Sequence, residues 1–153
     1  MREAINVTVK QRMREEFTSR SESETLLIAE KLGQAARKGD VFALIGELGA
    51  GKTIIAKGIA RGLGIEEEIT SPTFTLLEVY QHRTPLYHFD LFRIESTAEF
   101  DQLAFEEYWD DDGVSVIEWA ERAESRLPEN TITVYIEYLD EIARRIIVEY
   151  PDN

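Results

Sequence analysis

The sequence predicts a single α/β domain with a mixed central sheet and flanking helices, and three observations carry that expectation. The apolar run Val41-Phe42-Ala43-Leu44-Ile45 leads into a glycine-rich stretch, after which Ile54 to Leu63 carries apolar residues at helical spacing, so strand, loop and helix follow in order. Later β-rich runs are separated by helix-start signals and polar turns, the mark of an α/β layering rather than an all-β one. At 153 residues the chain suffices for one domain with a proper core and is too short for two of ordinary size.

Taken from the start, Met1 to Glu16 reads as an N-terminal extension ahead of a domain spanning residues 17–153. Val7-Thr8-Val9 has strand character, but Lys10 to Glu16 is charged with little periodicity. Ser21 and Glu24 form a capping box before Ile28, Leu32, Ala35 and Ala36 on one helical face, with Gly39 expected as the stop. Gly64 is expected to close the next helix, and Glu66-Glu67-Glu68 reads as a solvated acidic loop. Thr70 to Leu76 forms a polar turn feeding a strand that ends near Tyr80. A turn at Gln81 to Pro85 then sends the chain into Leu86 to Leu91 as an antiparallel hairpin. Ser96-Thr97-Ala98-Glu99 is a second capping box, opening a short helix with Phe100, Leu103 and Ala104. A helical stretch Phe105 to Trp109 runs into the turn Asp110-Asp111-Asp112-Gly113, which lacks the spacing of a calcium loop. Val114 to Trp119 is a strand, and Thr131 to Tyr138 with Ala143 to Tyr150 make a closing hairpin.

Composition narrows the function. Seventeen Lys and Arg against thirty Asp and Glu give a net charge of −13, which repels polyanions, so a stand-alone nucleic-acid binder is excluded unless basic residues cluster on one face. The absence of cysteine rules out a disulfide framework, a thiolate metal site and a cysteine nucleophile. No apolar stretch approaches membrane-spanning length and the N-terminus lacks a signal-peptide core, so a soluble, cytoplasmic protein is expected.

Gly46-Glu47-Leu48-Gly49-Ala50-Gly51-Lys52-Thr53 fits G-x-x-x-x-G-K-[ST], the phosphate-cradling P-loop of nucleoside triphosphatases. The chemistry explains the pattern. Glycines let backbone amides approach phosphate oxygens, Lys52 brings a cation to the outer phosphates, and Thr53 offers a hydroxyl to magnesium. Glu47, Leu48, Gly49, Ala50, Gly51, Lys52 and Thr53 are therefore the expected ATP-binding set. Hydrolysis also needs an acid on the metal side and a group to orient water. Glu118 closes an apolar strand as a Walker-B acid would, with Glu in place of the usual Asp, and Asp90 ends the shorter strand; sequence does not divide metal binding and water activation between them. His88, between two aromatics, is by type a structural residue, and its place two before Asp90 also suits a supporting role behind the site. Arg93 suits phosphate or an ion pair, and Trp119 by type is core.

Together with the P-loop, Thr-Ser-Pro-Thr-Phe-Thr-Leu at 70–76, Tyr-His-Phe-Asp-Leu-Phe-Arg at 87–93 and Ile-Glu-Trp-Ala-Glu-Arg at 117–122 resemble one family, the small bacterial ATPases called TsaE. The resemblance spans Phe17 to Leu127. It implies a P-loop nucleoside triphosphatase fold, binding and hydrolysis of Mg-ATP, and support of threonylcarbamoyladenosine formation on tRNA in complex with TsaB and TsaD, with tRNA met only through that complex. It further implies that Lys52 and Thr53 bind phosphate and magnesium, that Glu118 sits near the metal, and that Asp90 takes part in turnover. Thr73 falls in a switch-like loop, Trp119 rises from core to site residue, and Arg93 gains weight. Phe92 stands where the family often has Tyr, and Ile54-Ile55 where Thr-Phe is frequent. Turnover is expected to be slow in the isolated protein. Two other readings compete: a small kinase whose acceptor is clamped by Arg83, Arg93, Arg122 or Arg126, and a nucleotide-dependent binding module without required turnover.

Overall fold

A computed structural model describes residues 13–47, 51–70, 76–109 and 112–151. Within them the chain forms β1 (Arg14–Ser19), α1 (Glu22–Ala35), β2 (Val41–Gly46), α2 (Lys52–Gly62), β3 (Leu77–Tyr80), β4 (Leu86–Asp90), α3 (Thr97–Leu103), β5 (Val114–Glu118), β6 (Thr131–Tyr138) and β7 (Arg144–Glu149). Two 3-10 segments, Phe105–Tyr108 and Ala120–Arg126, flank β5. The strands make one sheet in the order β1-β7-β6-β2-β5-β4-β3. β2 takes the central place because its run is apolar without alternation, as a strand covered on both faces must be. It pairs in parallel with β5 and β6, and β4 runs parallel to β5, while β1, β3 and β7 are antiparallel to their neighbours.

Strand alternation sorts the core into two layers. Phe42 and Leu44 of β2, Val114 and Val116 of β5, and Leu86 of β4 meet Ala29 and Leu32 of α1 and Ile55, Ala56 and Ile59 of α2. On the other face Val41 and Ala43, Phe89 and Ile117 meet Phe100 of α3, Phe105, Trp109, Ala120 and Ala123. His88, Asp90 and Glu118 fall in step with Leu86 and Val116, so strand period directs them to the layer that holds α2. α1 lies against α2 where both lack side chains: a Cβ on Gly33 would meet the Ile59 carbonyl oxygen at 2.2 Å, and one on Gly62 the Glu30 oxygen at 2.2 Å.

Both expected helix starts form. The Ser21 and Ser96 hydroxyls accept from the amides of Glu24 (3.0 Å) and Glu99 (3.1 Å), and the two glutamates reach back to the amides of Arg20 and Glu95. α2 stops as expected: Gly64 at φ +92° lets the Ile65 amide bond the Ala60 carbonyl and its own amide bond Arg61, closing a Schellman turn. α1 stops earlier than expected. It ends at Ala35, because Ala36 is already extended (φ −71°, ψ 148°) and Asp40 then ties Arg37 into a separate turn in which Gly39 sits. At the N-terminus, β1 begins at Arg14, so Arg14, Glu15 and Glu16, read from sequence as extension, pair with Glu149, Val148 and Ile147. Their charge hid them, since an edge strand with solvated side chains needs no apolar alternation. Residues 1–12, with the expected strand at Val7 to Val9, and Asp110 and Asp111 lie outside the described residues. Among those described, no helix is long and apolar enough to cross a membrane.

Candidate functional site

The carboxyl ends of β2, β4 and β5 converge on the first turn of α2. Gly51, at φ +112°, is the N-cap of that helix, a backbone state open to glycine and costly for other residues, and its carbonyl accepts from the Ile54 and Ile55 amides. Lys52 and Thr53 follow as the first helical residues. The Lys52 side chain turns back so that Nζ donates to the Gly46 carbonyl at the end of β2, and it lies 3.7 Å from the centroid of the Trp119 ring. Only 5% of Lys52 is exposed. Burial lowers its pKa from the ordinary lysine value, and the carboxylates of Glu121, Glu118 and Asp90 oppose that shift.

Glu118 is the last residue of β5, 3% exposed, and its register partner across β4 is Asp90. The Thr53 hydroxyl donates toward both Glu118 oxygens, at 3.3 and 3.4 Å, and His88 Nε2 lies 2.7 Å from Oε2. A buried carboxylate needs such partners, because desolvation otherwise forces it toward the neutral form. Asp90 Oδ1 accepts from the Phe92 amide at 3.0 Å, turning the chain away from the sheet.

Trp119 leaves β5 with φ +58°, a left-handed state that costs a bulky residue about 1–2 kcal/mol. The turn carries the indole across Lys52. The Phe92 ring meets the indole at 5.0 Å with the planes tilted by 52°, and the Arg122 guanidinium lies 5.6 Å from its centroid and donates to the Ile94 carbonyl at 2.8 Å. Trp119 thus has two cations within reach of its ring, contacts that its electron-rich faces favour.

Of the sequence-predicted residues, the fold brings Gly51, Lys52, Thr53, Asp90, Glu118 and Trp119 to one place. Glu47 is exposed at the end of β2. Leu48, Gly49, Ala50 and Thr73 lie outside the described residues. Sequence reasoning did not single out Phe92 and Arg122 as supports of Trp119, nor did it pair His88 with Glu118; the pattern that could have found the pair is the shared strand face of His88 and Asp90. Beside Gly51 a cleft of about 310 Å³ opens between Arg20, Ser21 and Thr25 on one side and Ile142 and Arg144 on the other. Glu66, Glu67 and Glu68 are exposed, as expected, and border a separate cleft against α2.

The donor set fits a hard divalent cation with a phosphate. Thr53 and Glu118 offer adjacent oxygens of the kind that a hard cation such as magnesium takes alongside waters and substrate oxygens. Lys52 and the start of α2 supply the positive end for an anion.

Comparison with known proteins follows the same line. A family model described as threonylcarbamoyl adenosine biosynthesis protein TsaE matches residues 19–147. A Treponema pallidum (strain Nichols) protein named tRNA threonylcarbamoyladenosine biosynthesis protein TsaE is 47% identical over 130 residues, 85% of this chain and 96% of that one. A Bacillus subtilis (strain 168) protein of the same name is 41% identical over 124 residues, 80% and 77% of the two chains. The crystal structure of Bacillus subtilis YdiB superposes with a TM-score of 0.77 at 32% identity, over 92% of this chain and 88% of that one, and shares the single-domain mixed sheet.

Proposed function

Because the chain belongs to the TsaE family, we propose that it binds and hydrolyses Mg-ATP in support of tRNA threonylcarbamoyladenosine formation, working with TsaB and TsaD. The observation that carries this reading is the meeting of Thr53 and Glu118 beside Lys52 at the start of α2. Lys52 exchanges the Gly46 carbonyl for the outer phosphates. Residues 46–53 cradle the phosphate chain, and the cleft beside Gly51 takes the nucleoside end. Thr53 and Glu118 hold magnesium, which when bound neutralises charge on the phosphate oxygens. Asp90, next to Glu118 in register, orients the attacking water and accepts its proton. Trp119 covers the site from the solvent side, and Thr73 contributes to sensing the nucleotide.

The net charge of −13 agrees with a protein that leaves tRNA to its partners. Hydrolysis in the isolated protein is slow, because partner groups complete the site. Phosphate release from Mg-ATP, measured with and without TsaB–TsaD and tRNA, tests the reading when threonylcarbamoyladenosine is followed over several turnovers with threonylcarbamoyl-AMP supplied. Stimulated hydrolysis with sustained modification is expected. Hydrolysis unaffected by partners, with modification unchanged by removing this protein, would overturn it; phosphate found on a metabolite would point to a kinase.

A further inference from the structure

His88 sits on β4 with no exposed surface, opposite Val116. Its Nε2 lies 2.7 Å from Glu118 Oε2, and its Nδ1 has no hydrogen-bond partner among the described residues. The two facts fix the tautomer of a neutral ring. A proton on Nδ1 would be a buried donor without an acceptor, and would leave the Nε2 lone pair facing a carboxylate oxygen. A proton on Nε2 is donated to Glu118. The glutamate then has Oε2 tied from behind by β4, which leaves Oε1 turned to the site, with the Thr53 hydroxyl 3.3 Å from Oε1 and 3.4 Å from Oε2.

We infer that His88 is a positioning residue: through its Nε2–H it locks the Glu118 carboxylate so that Oε1 and the Thr53 hydroxyl are held as a pair for a divalent cation on the bound nucleotide. This rests on the roles given to Thr53 and Glu118 above. A glutamate has three side-chain torsions, and Glu118 reaches the site from the end of a strand. Without a fixed donor behind it, the carboxylate is free to turn toward Lys52, which carries the opposite charge close by. His88 itself has no exposed surface and lies on the face of β4 that carries Leu86 into the layer holding α2, where close packing holds a rigid ring in place. Partners that fix a metal ligand from behind are typically worth about 10–100-fold in metal affinity.

The test uses binding, so it does not depend on turnover. The dissociation constant of ADP is measured by calorimetry in EDTA and across a magnesium titration, for the native protein and for His88→Leu, His88→Gln and His88→Asn. The native protein should bind ADP more tightly with magnesium. His88→Leu should keep the EDTA affinity within about twofold and need roughly tenfold more magnesium for the same gain. His88→Gln, whose amide nitrogen reaches about as far as Nε2, should recover the native magnesium response within about threefold, whereas the shorter His88→Asn should not. Equal magnesium responses in native and Leu proteins, or equal responses in Gln and Asn variants, would overturn the inference. So would an EDTA affinity that falls as much as the magnesium-dependent part, since that marks damage to the P-loop. If the Leu variant does not fold, the Gln and Asn pair decides. Native protein indifferent to magnesium would instead remove the metal roles of Thr53 and Glu118, and the role of His88 with them.

Discussion

Gly33→Ala probes the contact that seats α2 against α1. The added Cβ would stand 2.2 Å from the Ile59 carbonyl oxygen and 3.0 Å from the Gly62 Cα, both of them backbone atoms that cannot rotate away. Ordinary carbon–oxygen contact needs about 3.2–3.4 Å, so α1 and α2 must part by roughly 1 Å in a layer packed to crystal-like density. Overpacking of this kind costs about 1–3 kcal/mol, and the better helix propensity of alanine returns less than about 1 kcal/mol near the end of α1. The net loss is about 1–2 kcal/mol, which for a chain of this size lowers Tm by roughly 2–8 °C. Thermal unfolding followed by circular dichroism reads this directly, with Gln34→Ala, an exposed neighbour in the same helix, as the propensity control. Because α2 begins with Lys52 and Thr53, ADP affinity should also weaken severalfold. A Gly33→Ala protein as stable as the native one would refute the argument, since it would mean the helices separate without cost.

Other predictions follow from single contacts. Tyr150 donates to Glu15 at 3.0 Å, and burial together with that bond raises its pKa to about 12 from 10.0. The folded state therefore holds the phenol proton more tightly, so this stabilisation is complete below pH 10 and is lost as pH rises toward 12. Melts across that range should fall more steeply for the native protein than for Tyr150→Phe, and parallel curves would count against it. Trp119→Ala uncovers the Lys52 ammonium, relieves the desolvation that lowers its pKa, and should move that pKa back up; carbon NMR of the lysine side chain reports the direction, and a downward move contradicts the assignment. Asp90→Asn should retain Mg-ADP binding within about threefold while partner-stimulated hydrolysis drops by roughly 10²–10⁴, the usual worth of a general base. Loss of binding in step with hydrolysis would move Asp90 from water activation to ligand binding.

Where local chemistry decides, the sequence was legible. The strand and helix flanking the glycine-rich stretch, the two capping boxes, the β3–β4 and β6–β7 hairpins and the Schellman glycine at Gly64 all depend on residues within a few positions of one another. Gly39 misled because a glycine three residues beyond a periodic pattern looks like a helix stop, while here Ala36 had already left the helix and Gly39 serves the next turn. Arg14 to Glu16 misled because edge-strand side chains carry no burial signal. In the site, each acid was visible alone, yet nothing along the chain says that residue 88 meets residue 118. That meeting is fixed by the parallel register of β4 on β5, in which Asp90 faces Glu118 and His88 lies one side-chain repeat behind. The same register-level distance hid the contacts of Phe92 and Arg122 with Trp119, whose aim depends on one left-handed residue.

The order of the sheet also bears on how the molecule comes into being. Val41 of β2 pairs with Ser115 on one side and Thr131 on the other, and β1, at residues 14–19, closes only on β7, at residues 144–149. A chain emerging from the ribosome has made the whole P-loop long before either neighbour of its strand exists, and must hold an apolar ribbon unpaired until then. Contacts so far apart in sequence form slowly and leave that ribbon open to wrong partners. Newly made protein should therefore acquire nucleotide affinity late and all at once, when β6 arrives, and shortened chains should engage chaperones instead of ATP.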